Sequence, residues 1–422
     1  KRAREIPPRL SDDALTGVFG RVVHWLAPPG IGTVDLDHGA LMTVLLAQVG
    51  SAMGSGPGFH VGRYVSRTNL FTMLIGDTGS GKGETANAIN TIMRAADPTF
   101  VRLNLLSGLR SGEALCDRVA RQHAATLGLL HGSDDRPAPE APDVEAIYLD
   151  FREFAELNAG LRYQGSTLSP LLRVAYNGGH LATTSIRAKS ETPPEWIPDV
   201  THVSVCAQVT PAEASRLVGS EDVENGLLNR FVFASVPNWR QRKPYAPPMS
   251  SRDPLADELR RAIDNGRRTR VMNLSAEADQ LHARAYEFCQ IASRLASVRL
   301  AENMNRAIAI YAAADNAEQV GVVHVRAGWA MAKYWAECSS RFEPRLGADG
   351  DIVDDVRYAI DNQPGITRTG LNNALGKRVK KLAIDRAIGV LKADGYREQR
   401  APNAQNRTVT LYYPPGFCGI AE

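Results

Sequence analysis

The run Gly76-Asp77-Thr78-Gly79-Ser80-Gly81-Lys82 has the residue types and spacing to hold a phosphate. Glycines let successive backbone N–H groups converge on an anion, and a lysine after them supplies a point charge for the β/γ-phosphates. The run follows Thr72-Met73-Leu74-Ile75, which reads as a buried strand. It precedes Glu84-Thr85-Ala86-Asn87-Ala88-Ile89, which reads as the opening of a helix. A helix N-terminus there adds the positive end of its dipole. Strand, G-x-x-x-x-G-K, helix is the phosphate loop of nucleoside triphosphatases; the plain alternative is a Gly-rich turn with a solvated lysine. The expected ATP contacts run from Gly76 through Lys82 to Gly83, Glu84 and Thr85. One position departs from the pattern. Gly83 stands where a Ser or Thr hydroxyl would bind Mg²⁺. Thr85, Ser80 or a water is left to fill that role, so nucleotide binding is more directly implied than hydrolysis.

The usual partner of a phosphate loop is an apolar strand ending in an acid that reaches the hydrated Mg²⁺. Asp150, after Ala146-Ile147-Tyr148-Leu149, fits that description. Glu153, followed by Phe154, is the candidate to polarise the attacking water. An acid after a strand also serves as a turn residue or a helix cap.

These groups need a scaffold. A chain of 422 residues has room for two or three domains, and 44% hydrophobic with 23% charged residues is ordinary for a globular protein. A net charge of +3 says little about partners unless the basic residues cluster. The scattered cysteines (Cys116, Cys206, Cys289, Cys338, Cys418) include no C-x-x-C, which argues against a disulfide scaffold or a zinc site and suits a reducing cytoplasm. No apolar run is long enough to span a bilayer. The opening Lys1-Arg2-Ala3-Arg4-Glu5 leads into Pro7-Pro8 rather than a signal peptide's apolar core, and its abruptness suits a piece of a longer chain.

Helical spacing over 11–26, capped by Ser11, and a more apolar helix over 37–53 predict an α-helical lead-in. Strands over 146–149, 203–207 and 231–234, alternating with helices, predict a mostly parallel α/β sheet. The basic, Pro-rich stretch 239–253 marks a boundary, and the chain is helical almost throughout from Leu255 to about Phe342. The expected domains are an α-helical N-terminal segment (1–65), a P-loop ATPase core (66–245), an α-helical lid (246–346) and a C-terminal module (347–422).

That module reads as three helices and a β-hairpin, a winged helix. Basic residues gather on its second and third helices and its wing, among them Lys380, Lys381, Arg386 and Arg400. A basic recognition helix is the electrostatic footprint of duplex binding; winged helices also serve as protein contacts or as caps on a motor. No basic patch interleaved with aromatic residues, of the kind that stacks single strands, is evident.

The order of parts resembles a known group. The acidic strand 146–154 is similar to that of ring-forming AAA+ helicases. It is followed by the helix from Leu168, a hairpin strand (Gly178 to Lys189), the strand His202 to Pro211, and Asn229-Arg230-Phe231. This order is similar to minichromosome-maintenance-type helicases. With Ser111-Gly112-Glu113, Glu153-Phe154-Ala155, Thr167-Leu168-Ser169-Pro170 and Asn225-Gly226, the run from about Pro7 to Phe342 resembles ATPases of phages and mobile elements related to primase–helicases. The resemblance implies an AAA+-like fold. It implies a polar γ-phosphate sensor at Thr210, or else Gln208, although the usual residue is Asn. It implies an arginine finger at Arg230 acting on the neighbouring subunit's nucleotide, and a second sensor arginine at Arg306, where a helix-stabilising ion pair fits equally. It implies a channel hairpin in which Arg187 and Lys189 grip a nucleic-acid backbone, unless they form an ordinary solvated tip.

The expected function is therefore an ATP-dependent DNA helicase or translocase in replication of a phage or mobile element. It would work as a homo-oligomeric ring, a hexamer by resemblance, with single-stranded DNA in the channel, duplex at the winged helix, and a primase domain or partner. The alternative is a nucleotide-gated DNA-binding assembly at an origin or operator with weak or no hydrolysis. A third reading is a defence ATPase that signals through a partner.

Overall fold

The computed structural model describes residues 8–28, 36–130, 140–162, 165–181, 197–211, 213–214, 226–237, 254–292, 298–346, 348–375, 381–393, 395–402 and 408–415. The chain divides into two compact units, Lys1–Ser340 and Arg341–Glu422.

Twelve strands occur among the described residues: β1 (Gly58–Val61), β2 (Tyr64–Ser66), β3 (Phe71–Ile75), β4 (Leu105–Leu106), β5 (Ile147–Phe151), β6 (Val203–Val209), β7 (Phe231–Ser235), β8 (Val271–Leu274), β9 (Gln319–Val320), β10 (Ile366–Thr367), β11 (Arg397–Pro402) and β12 (Thr408–Tyr413). The first unit is built on a five-stranded, wholly parallel sheet in the order β4-β5-β6-β3-β7. Every residue of β3, β5 and β6 is buried. These strands are mostly apolar runs, broken by Thr72, Asp150, Ser204 and Gln208, the pattern of a parallel sheet covered on both faces. The strand carrying the loop, β3, and the acidic strand, β5, are separated by one strand, β6.

The helix His38–Met53 packs on this sheet and against the helix Lys82–Ala96. Asp37 caps it, its side chain accepting a hydrogen bond from the Ala40 N–H at 2.9 Å. Gly39 to Met53 are all buried, so the helix is held by uniform apolarity rather than by one greasy face. The expected helix over 11–26 is interrupted: a 3₁₀ turn, Asp12–Ala14, precedes the helix Gly17–Leu26. Gly17 sits at φ +60°, a conformation that breaks a continuous helix.

A second sheet corrects the domain picture. Its order is β2-β1-β8-β9, so the segment 1–65 is not wholly helical and the segment 246–346 carries two strands. Strands of two to four residues give period-two patterning too little length to register. The β1–β2 hairpin closes through Gly62-Arg63 with Gly62 at φ +59°, as a two-residue hairpin turn requires.

The second unit has helices Ala348–Asn362, Arg368–Ala374 and Lys381–Ala393 with the antiparallel sheet β10-β12-β11. Val356, Ile360, Ile366, Leu371, Ile384, Leu391 and Tyr412 form its core. Thr367 caps the second helix, its hydroxyl accepting from the Gly370 N–H at 3.0 Å. Among the described residues, no helix is long and apolar enough to cross a membrane.

Candidate functional site

The loop leaves the carboxyl end of β3 at its junction with β6 and β7. Gly76 N–H donates to Val209 O at 3.2 Å, and Val236 N–H donates to Ile75 O at 2.8 Å. Gly76 has no room for a side chain: a Cβ there would lie 2.3 Å from Ser80 Oγ and 2.4 Å from Val236 O. Gly79 and Gly81 hold φ +76° and +102°, the left-handed region that turns N–H groups inward. The helix begins at Lys82, two residues earlier than its apolar pattern suggests. Lys82 Nζ donates to Gly76 O at 2.6 Å and Asp77 O at 2.9 Å. The ammonium thus lies folded over the loop it belongs to. Burial pushes its pKa down, while the charges of Glu213, Asp77 and Glu84 push it back up.

The hydroxyls fall differently from expectation. Thr85 is fully buried, and its Oγ1 donates to Gly81 O at 2.9 Å, a bond within its own helix. Ser80 Oγ is buried and has no hydrogen-bond partner among the described residues. A Cβ on Gly83 would meet nothing within 4 Å. Space is therefore not the reason for glycine there.

Asp150 is not at a strand end. Phe151 extends β5, paired with Ala207, so Asp150 lies inside the sheet, paired with Cys206, which pairs with Thr72. Thr72 is four residues short of Gly76, roughly 13 Å along the strand. The carboxylate is recessed and 2% exposed, and among the described residues neither oxygen has a hydrogen-bond donor within normal geometry. Burial raises its pKa; Arg152, whose Nε stands 3.5 Å from Oδ2, lowers it. A buried carboxylate whose nearest cation is an exposed arginine at 3.5 Å retains lone pairs that a second cation could use. Among the described residues no cluster of three or more His, Cys, Asp or Glu is assembled for a metal. Glu153 lies beyond β5, exposed, just before the helix Phe154–Arg162.

Thr210 follows β6, directly after Val209, whose carbonyl accepts from Gly76 N–H. Glu213 Oε2 accepts from Thr210 N–H at 2.9 Å and from Thr210 Oγ1 at 2.8 Å. Glu213 has no signature in the sequence, since an isolated acid four residues after a strand carries no spacing signal. Gln208 is buried, its Nε2 without a partner among the described residues.

Two arginines lie at the other edge of the sheet. Arg230 closes the 3₁₀ turn Leu228–Arg230 before β7, whose first residue pairs with Phe71. It is therefore roughly 20 Å from Gly76 of its own chain. Its Nη1 donates to Gly226 O, and burial together with Arg299 pushes its pKa down to about 10. Arg306 does not approach the loop. It is 5% exposed and donates to Asn69 O and Tyr176 O, both at 2.8 Å, to Asn69 Oδ1, and to Glu302 Oε1 at 2.9 Å. Asn69 precedes β3, so Arg306 braces the amino edge, and its ion pair is the feature the helical spacing allowed.

No protein-family model and no curated protein sequence matches the chain. Solved structures do. A full-length MCM homolog from Methanopyrus kandleri is similar over 76% of this chain and 59% of its own, at a TM-score of 0.39 and 14% identity. The chain thus spans less than two thirds of the length of that structure.

Two short motifs meet in space. Ser111 caps the helix Gly112–Thr126, its Oγ accepting from Ala114 N–H at 3.1 Å, and Glu113 Oε1 accepts from Thr167 Oγ1 at 2.9 Å. Arg187, Lys189 and Lys380 lie outside the described residues. Lys381 and Arg386 are on the helix Lys381–Ala393, and Arg400 is on β11.

Proposed function

We propose that the chain is a P-loop ATPase of AAA+ type that moves DNA, assembled as a ring. The observation that carries this reading is the cradle itself. Two left-handed glycines, a helix N-terminus and a lysine folded over the loop carbonyls are the groups from which a phosphate cradle is built. ATP binding would draw Lys82 from Gly76 O and Asp77 O onto the β/γ-phosphates. The partnerless Ser80 hydroxyl and the Asp150 carboxylate, through water, are the groups suited to holding Mg²⁺. Bound there, Mg²⁺ would neutralise charge on the transferred phosphoryl group. Glu153, exposed at the carboxyl edge, would orient the attacking water. Thr210, fixed by Glu213, would register the γ-phosphate. Arg230 is too far from its own loop to serve it, which supports a finger that acts on a neighbouring subunit. The second unit, with its Thr367-capped helix and wing-like β11–β12 pair, suits a winged helix contacting duplex DNA through Lys381, Arg386 and Arg400, with Lys380 adjoining. Replication of a phage or mobile element, a hexameric ring and a primase partner complete the proposal.

Steady-state ATP hydrolysis with and without single-stranded and duplex DNA tests it, for wild type, Lys82→Ala and Arg230→Ala. The expected result is DNA-stimulated turnover lost in both variants and partly restored on mixing them. Gly83 and the recessed, Arg152-shadowed Asp150 favour a second reading, a nucleotide-gated DNA-binding assembly. Tight ATP binding without turnover above background would select it.

A further inference from the structure

A cavity of about 570 Å³ opens at the amino edge of the sheet, away from the phosphate loop. The β1–β2 hairpin, the segment before β3, the end of the helix Leu168–Tyr176 and the helices Ala276–Ala292 and Leu300–Ala314 enclose it. Its volume lies in the range of small-molecule sites. Among the described residues, Arg67, Arg299 and Arg306 line it against one carboxylate, Glu302. Glu302 is shared, its oxygens accepting from Arg299 at 2.7 Å and from Arg306 at 2.9 Å. The Arg306 side chain is 6% exposed, yet its Nε has no hydrogen-bond partner among the described residues. The surroundings register the excess charge: Arg306 and Arg67 add to burial in lowering His202, and Arg299 does the same to Arg230.

Two tyrosines supply the remaining chemistry. Tyr64, next to the hairpin turn, is 80% exposed, and Tyr286 is 40% exposed. Both line the cavity. Exposed aromatic faces beside under-compensated guanidinium groups suit a base that stacks and a phosphate that pairs.

We propose that this cavity binds a nucleotide unit, its base stacked on Tyr64 or Tyr286 and its phosphate at Arg299. The unit comes from single-stranded nucleic acid or from a free mononucleotide. This site is separate from the phosphate loop and does not depend on ATP turnover.

The test uses the full chain without ATP. Binding of fluorescein-labelled dT12 is followed by anisotropy and binding of dTMP by equilibrium dialysis, for wild type, Tyr64→Ala, Tyr286→Ala, Arg299→Ala and Lys82→Ala. The tyrosine variants are expected to weaken binding roughly ten-fold each, Arg299→Ala comparably, and Lys82→Ala not at all. Loss of dT12 alone assigns a strand; parallel loss of dTMP assigns a mononucleotide. A bromodeoxyuridine-substituted dT12 irradiated on the wild-type chain is expected to cross-link to a peptide holding Tyr64 or Tyr286, a readout free of any folding defect. Binding of both ligands indifferent to all three cavity substitutions, with cross-links elsewhere, overturns the proposal. So does a change of oligomeric state in these variants with nucleotide binding intact, which would make the cavity a contact between copies. A failure here leaves the Lys82→Ala turnover experiment unaffected, so the two readings fall separately.

Discussion

The two ends of the parallel sheet are built by opposite means. The carboxyl edge is built from backbone: one uninterrupted run, Gly76 to Lys82, turns through two left-handed glycines, and the Lys82 side chain folds back onto it. The amino edge is a site of side chains. Asn69, Tyr176, Arg230, Arg299, Glu302 and Arg306 come from segments up to 237 positions apart and lock around one tyrosine ring. Arg306 stacks 3.9 Å from the Tyr176 centroid, with Arg230 and Arg299 at 5.6 and 5.8 Å. A backbone site withstands most side-chain changes and fails when its one cation is lost. A side-chain site is most sensitive at its most heavily bonded member, Arg306, because its loss leaves polar groups unpaired.

The largest effect expected from this contrast is at Lys82. Lys82→Ala should lower ATP turnover on the order of 10³-fold, about 4 kcal/mol of barrier, with the folded stability little changed. A urea melt beside the kinetics checks both halves, and an unfolded variant would break the contrast. At the other edge the signs reverse. Arg306→Ala should cost about 3 kcal/mol in a urea melt, by leaving the Asn69 backbone and side-chain carbonyls without their donor and Glu302 with Arg299 alone, and should leave ATP affinity within a factor of two or so. A large loss of ATP affinity in the folded variant would move Arg306 into the nucleotide site.

The amino edge should also be the acid-sensitive one. His202 is buried, bonded through Nε2 to Gly50 O at 3.1 Å, and burial pushes its pKa from 6.5 down to about 4. Below pH 6.5 the unfolded chain takes up a proton that the folded chain refuses. Stability therefore falls as pH drops from about 6.5 to about 4, by up to about 3 kcal/mol, and is fully present above that window. His202→Gln should flatten that part of the pH–stability curve; an unchanged slope would remove His202 as its source. The smallest effect is at Gly83. Gly83→Thr enters open space and should change stability by no more than about 0.5 kcal/mol. Mg²⁺-dependent turnover should rise, since the hydroxyl expected after the lysine is restored. A fall would show that the glycine backbone itself is required there.

The carboxyl edge could be read in advance because its chemistry is local. The glycine spacing, the apolar run before it and the helical run after it sit within about twenty residues, so motif and strand are legible together. Asp150 was legible as an acid on a strand but not in depth, because Phe151 prolongs the pairing and only register reveals the recess. Glu213 and the hairpin at Tyr64 carried no pattern of their own. An aromatic and basic grouping was hidden for the same reason: Tyr64, Arg67, Tyr286 and Arg299 are scattered along the chain and gathered by folding.

By itself the sequence determined the strand, Gly-rich turn and helix around Gly76–Lys82, the α/β alternation and the buried strands, because each depends on neighbours a few bonds away. The tertiary structure alone decided that Arg306 braces the sheet rather than the nucleotide, and that Arg230 stands a strand's length from its own loop. It also decided that Tyr64, Tyr176 and Tyr286 share one cavity with Arg67, Arg299 and Arg306. These are long-range placements set by how buried strands align, and register across a sheet is written in packing rather than in the spacing of residues along the chain.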